Sequence, residues 1–188
     1  MLRFLAFLLM LNFYSPVFSS AKEKIIAQMK LTDTLSFNFT QTIDNKNENG
    51  SCIIKYPKKI FCEYDGPKRK IVVSNGKLLA IKIRNNGNFF LYPLKKTPLN
   101  LLLDKEYLLS KINALEPRNI DNKFLTFKLF DNGNEINIFF GKKDFDLVGW
   151  QTKDIYQKIV ITFISSVKSN EKVDNKIFRL PVNNWLTI

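Results

Sequence analysis

Apolar and polar positions change period along the chain, and the changes outline its elements. From Ala21 to Leu31, Ile25, Ile26 and Met29 recur at helical spacing with Lys and Glu between them, which predicts an amphipathic helix ended by Thr32-Asp33. From Leu35 to Thr42 the period becomes two: Phe37 and Phe39 share one face, and Ser36, Asn38 and Thr40 share the other. Asp44 to Gly50 reads as a polar loop. Ser51 to Tyr56 and Lys59 to Tyr64 then read as one hairpin. Lys70 to Ser74 and Lys77 to Arg84 read as another, about Asn75-Gly76, a strong two-residue turn signal. Asn85 to Asn88 turns again into Phe89 to Pro93. The pattern next becomes helical at Thr97-Pro98, with Thr as cap, Pro in the first turn, and Leu99, Leu101, Leu102 and Leu103 following. Glu106 to Asn113 continues in that style. Strands return at Phe124 to Phe130, Glu135 to Gly141, Leu147 to Lys153 and Lys158 to Val167, and Phe178-Arg179-Leu180-Pro181 closes the pattern. Roughly ten short antiparallel strands make a sheet too wide to stay flat, so it should curl. Whether its inner side encloses a cavity or a plain packed core stays open on pattern alone.

The first residues read as an address. Arg3 precedes an almost unbroken apolar run from Phe4 to Phe13, then Ser15-Pro16 and the cleavage-site pattern Val17-Phe18-Ser19. The run is too short for the roughly 20 residues that span a bilayer. The expected organisation is a signal peptide at 1–19, cleaved after Ser19 or Ala21, and one domain at 20–188; an uncleaved anchor is the alternative.

Composition then narrows the chemistry. The 188 residues contain no His, which excludes His-based triads, metal sites and pH switches. The two Cys fall short of the usual zinc ligand set. The seven Gly form no phosphate-binding loop motif. No enzyme activity and no cofactor is expected. The net charge of +12 comes from Lys scattered from Lys22 to Lys176, which reads as a solvated surface or attraction to an anionic membrane, and not as a nucleic-acid interface. Cys52 and Cys62 lie symmetrically about Tyr56-Pro57-Lys58-Lys59. Opposed on one hairpin face, they could form a disulfide once exported; two buried thiols are the alternative.

Several segments, in order, resemble the outer-membrane lipoprotein carrier protein family (LolA) of Gram-negative bacteria. They are Phe37-x-Phe39-x-Gln41, Gly50 leading to Lys55-Tyr56-Pro57 and Glu63-Tyr64, and Ile71 to Lys77. Tyr92-Pro93, Thr97-Pro98-Leu99-Asn100-Leu101-Leu102 and Phe178 to Pro181 complete the set. The resemblance implies a mainly β (α+β) fold: a single strongly curved antiparallel sheet forming an incomplete β-barrel, covered on its concave side by a lid of about three short helices. It implies a monomeric periplasmic carrier that takes lipoproteins by their acyl chains from the inner to the outer membrane. Its partners would be the inner-membrane lipoprotein-releasing ABC transporter complex and an outer-membrane acceptor. A binder of free lipid or glycolipid, or a lipoprotein sensor, is the alternative on the same fold. The cavity residues expected are Phe37, Phe39, Ile54, Ile71, Val73, Leu79, Ile81, Leu99, Leu102 and Leu103, with strand parity open because several strands are apolar on both faces. The family commonly places an Arg that latches the lid where this chain has Tyr56, so the latch is expected to be weaker, relocated or absent. Ile60 falls where the family keeps an exposed apolar residue facing the inner-membrane complex; a core position is the alternative.

Overall fold

The computed structural model describes residues 20–67, 69–83, 89–154 and 156–181. The expected leader at 1–19 and the turn at Asn85 to Asn88 lie outside the described residues. Helix α1 (Ala21–Leu31) starts with a reciprocal cap, in which Ser20 Oγ accepts from the Glu23 N–H and the Glu23 carboxylate accepts from the Ser20 N–H. Six strands follow: β1 (Thr34–Ile43), β2 (Lys46–Lys55), β3 (Lys59–Tyr64), β4 (Lys70–Asn75), β5 (Leu78–Ile83) and β6 (Phe89–Pro93). Two short helices, α2 (Leu99–Leu103) and α3 (Lys105–Ala114), interrupt the sheet. It resumes with β7 (Arg118–Ile120), β8 (Phe124–Asp131), β9 (Asn134–Gly141), β10 (Leu147–Lys153) and β11 (Ile159–Ser169).

All eleven strands form one sheet in the order β6-β5-β4-β3-β2-β1-β11-β10-β9-β8-β7. Every pairing is antiparallel, and every neighbour is consecutive in sequence except at the β1–β11 seam, where Leu35 pairs with Ser169 and Ile43 with Val160. The edges, β6 and β7, do not meet, so the sheet is an open half-barrel with the helices against its inner face.

Two local expectations change, and one strand is added. Asp44 to Gly50 is not a loop: Asp44 and Asn45 alone make the turn, both at positive φ, as a twist-matched two-residue hairpin requires. The polar residues beyond them are strand, tied across by Thr40 Oγ1 to Asn49 Oδ1 at 2.9 Å and Thr42 Oγ1 to Asn47 Oδ1 at 2.8 Å. Thr97 does not cap α2; its hydroxyl donates back to the Leu94 carbonyl at 2.8 Å and closes a 3-10 turn over Leu94–Lys96. The three-residue strand β7 carries no alternation long enough to be seen in the sequence.

Candidate functional site

The strand register writes the inner face row by row. One row runs Leu35, Ile54, Ile60, Ser74, Leu79 and Tyr92 across β1 to β6. The next runs Phe37, Cys52, Cys62, Val72, Ile81 and Phe90. In the third, Phe39 faces Gly50, which faces Tyr64. A Cβ on Gly50 would lie 2.1 Å from the Glu63 carbonyl and 2.8 Å from the Phe39 ring, so only glycine lets that ring lie down against the floor. There it meets Tyr64 edge-on, with centroids 4.8 Å apart. Past the seam the inner rows continue through Thr162, Trp150, Ile138 and Phe127.

Against this floor lie Leu101, Leu102 and Leu103 of α2 and Leu108, Leu109 and Ile112 of α3, all buried. Among the described residues an inner cavity of about 120 Å³ is left beneath them. Its walls are Phe39, Ile60, the Cys52–Cys62 disulfide, Val72 and Trp150, with Leu99 of α2 beside them. Gln41, Tyr64 and Thr162 make its polar end: Tyr64 OH donates to Gln41 Oε1 at 3.1 Å, and Gln41 Nε2 donates to Thr162 Oγ1 at 3.1 Å. Burial, and then the negative charge of Glu48, push the Tyr64 phenol well above its usual range, against the smaller opposing effect of the Gln41 contact. Lys70 sits 3.7 Å over the Tyr64 ring and pairs with Glu48 at 2.5 Å, closing this end with charge outside and aromatic carbon within.

The lid is held at the turn between β2 and β3. The Lys58 N–H donates to the Leu103 carbonyl at 2.8 Å, and Lys58 Nζ pairs with Asp104 at 2.8 Å. Asp104 also caps α3, accepting from the Tyr107 N–H. Lys105 ties the lid to α1 by donating to the carbonyls of Lys30 and Thr32, at 3.1 and 3.0 Å, where the helix end leaves acceptors free.

The sequence-predicted residues fall into three groups. Phe37, Phe39, Ile54 and Leu79 are buried on the inner face, with Ile81 half-buried beside them; Leu102 and Leu103 are buried in the lid, and Leu99 is half-buried at the cavity. Ile71 and Val73 do not belong there. The inward residue of β4 is Val72, and its neighbours point to the outer face, where Val73 pairs with Phe61. Val73 is nevertheless buried; the 3-10 turn Asn175–Phe178 packs against β3 and β4, with the Lys59 ammonium 6.0 Å from the Phe178 ring. Ile60 is likewise no surface contact: it is 1% exposed, opposite Ile54, and lines the cavity. Tyr56 does not latch the lid by a hydrogen bond; its ring lies 5.7 Å from the Lys105 ammonium at the start of α3. Its hydroxyl is buried with no hydrogen-bond partner among the described residues, and burial pushes its ionisation far above the ordinary phenol range. Holding the lid falls to Lys58, two residues on. Val72, Trp150 and Thr162 join the site without having been singled out, and Gln41 was named only as part of the family motif. Cys52 facing Cys62 puts Ile54 and Ile60 on the same face by counting in twos, and the β3–β4 register adds Val72.

The family model for the outer membrane lipoprotein carrier protein LolA matches residues 30–181. No curated protein matches the sequence. Among solved structures, the chain is similar to an uncharacterized conserved protein from Thermus thermophilus, at 8% identity and a TM-score of 0.51, covering 86% of this chain and 95% of that one. A LolA superfamily protein from Nitrosomonas europaea aligns at 10% identity and a TM-score of 0.48, over 85% and 96% of the two chains. A putative outer membrane lipoprotein-sorting protein domain from Vibrio parahaemolyticus aligns at 9% and 0.48, over 85% and 97%.

Proposed function

The chain belongs to the outer membrane lipoprotein carrier protein family, and we propose that it is a periplasmic chaperone that shields lipoprotein acyl chains on the way from the inner to the outer membrane. The family is one of carriers; the direction of transport and the nature of the cargo are our reading. The observation that carries it is the inner face itself, an apolar floor covered by the apolar side chains of two short helices. At about 120 Å³ the cavity is smaller than the roughly 150 Å³ that accommodates one benzene ring. An acyl chain therefore has to take the place of the lid leucines. The exchange is close to balanced: each buried methylene of an acyl chain is worth about 0.8 kcal/mol, so one long chain yields on the order of 10 kcal/mol. Six lid side chains at about 1.5–3 kcal/mol each represent a loss of the same order. A near-balanced exchange suits a protein that must release what it carries.

The leader supports an extracytoplasmic site of action. Cleavage after Ser19 is the better choice of the two, because it retains Ser20 and with it the cap of α1. Loading at an inner-membrane releasing complex and delivery to an outer-membrane acceptor are part of the proposal.

The test is depletion of the protein in its host, followed by fractionation of lipoproteins between the two membranes and mass spectrometry of whatever co-purifies with the protein. Retention of lipoproteins in the inner membrane and acylated protein as cargo are expected. Normal sorting, with free lipid or glycolipid bound instead, refutes the proposal in favour of a lipid binder.

A further inference from the structure

We propose that the β6 end of the half-barrel is a docking surface for an anionic phospholipid bilayer. Strand β6 is a sheet edge with its outer side unpaired. Three consecutive side chains on it, Phe90, Leu91 and Tyr92, are 53, 47 and 37% exposed. They project from both faces: Phe90 and Tyr92 lie in the inner rows with Ile81 and Leu79, and Leu91 lies opposite Ala80 on the outer face. Edge strands are normally blunted with charge or covered, and this one carries apolar groups on both sides. A groove-bound partner would call for one apolar face; a two-sided apolar tip suits a wedge entering a fluid interface.

Charge selects the bilayer. The 38 residues between Asp65 and Asp104 contain eight Lys or Arg and no Asp or Glu, so the charge that is scattered elsewhere is one-signed along this stretch of the sequence. At one end of β6 stand exposed Lys77 and Lys95, brought together because the Leu94 N–H donates to the Lys77 carbonyl at 2.9 Å. At the other end Lys82 pairs with Phe89. Lys96 also borders a cleft whose walls carry Asp131 and Asp154, so the outward charge rests on Lys77, Lys82 and Lys95. Aromatic residues bracketed by Lys are the composition of interfacial anchors on anionic leaflets. The open backbone edge keeps the contact at headgroup depth, because unpaired N–H and C=O groups are not tolerated in hydrocarbon. Docking in this way would bring one rim of the half-barrel to the membrane surface. The proposal does not depend on what the inner face carries.

The test is flotation of the purified protein with vesicles of phosphatidylcholine, with and without phosphatidylglycerol, at low and high salt. Binding to the anionic vesicles alone, weakened by salt, is expected. Lys77→Glu/Lys95→Glu should weaken it by about fivefold or more per site, and Phe90→Ser/Tyr92→Ser by about tenfold or more per ring removed. A Leu91→Cys variant carrying an environment-sensitive dye provides a second reading, with a blue shift expected on anionic vesicles only. Equal binding to both vesicle types, no binding at low salt, or variants that float like the parent overturns the proposal. Self-association or binding of a protein segment that is lost with Phe90→Ser, in the absence of vesicle binding, assigns the edge to a protein partner and overturns it as well.

Discussion

Substitution at Asp104 should loosen the lid while leaving the sheet intact. Asp104 does two jobs at one point, pairing with Lys58 at 2.8 Å and capping α3. The pair is partly exposed, at 38 and 24% for the two side chains, so solvent screening limits it to about 0.5–1 kcal/mol. The capping bond to Tyr107 is long, at 3.5 Å, and belongs in the lower half of the usual range, about 0.5–1 kcal/mol. Asp104→Ala should therefore destabilise the closed lid by about 1–2 kcal/mol, raising the open population about 5- to 30-fold. Lys58→Gly separates the two contributions. It removes the ammonium, retains the N–H that donates to Leu103, and suits the residue's φ of 66°, so the hairpin gains while the lid loses a few-fold. Hydrogen exchange reads both effects: amides of α2 and α3 should exchange faster in either variant, and those of β1 and β2 no faster. An apolar fluorescent acyl probe should bind more tightly in the same order. The double variant should show a coupling of about 0.5–1 kcal/mol, the worth of the pair. Lid and sheet amides accelerating together in Asp104→Ala would refute the reasoning, because lid and barrel would then open as one unit.

Ile60→Glu places an unpaired carboxylate opposite Ile54 in the cavity, and thermal or urea denaturation should show a loss of several kcal/mol; an unchanged melt would mean that Ile60 is not interior. Tyr56→Phe removes a buried hydroxyl without a hydrogen-bond partner among the described residues and should leave stability equal or about 1 kcal/mol higher. The parent, whose folded state holds the Tyr56 and Tyr64 protons above the unfolded phenol value, should lose stability as pH rises through about 10 and beyond, and Tyr56→Phe should keep only the Tyr64 share of that loss. Cys52→Ser/Cys62→Ser opens a short loop and should cost at most about 3 kcal/mol, read from urea midpoints with and without reductant, to which the double variant should be indifferent.

How far the sequence could be read depended on what each segment had to bury. Phe37 and Phe39 alternate with polar residues, so their parity and their place on the floor were legible. Ile71-Val72-Val73 is apolar on both faces because the C-terminal turn covers the outside of β4, a long-range contact that no local pattern announces, and the parity there was misread. Ile60 falls at the family's contact position with a core place as the alternative, and its register opposite Ile54 together with its burial decides for the core. The lid was visible as a run of leucines, but its fastening was not: a backbone N–H and one Lys among many acquire meaning only when the hairpin turn meets Asp104. The basic end of the sheet was hidden in plain composition, since it is the acids that are missing there and not the Lys that are dense.

The seam between β1 and β11 has a consequence for how the molecule reaches its native state. All other strand pairs are hairpin neighbours and can form within microseconds of collapse, as two separate meanders. The seam joins Leu35 to Ser169, so its loop-closure entropy comes due last and its formation should limit the rate of folding. A chain delivered N-terminus first would expose the unpaired edge of β1, flanked by Phe37 and Phe39, until the final strand arrived. Through that interval the nascent protein would itself be an aggregation-prone client.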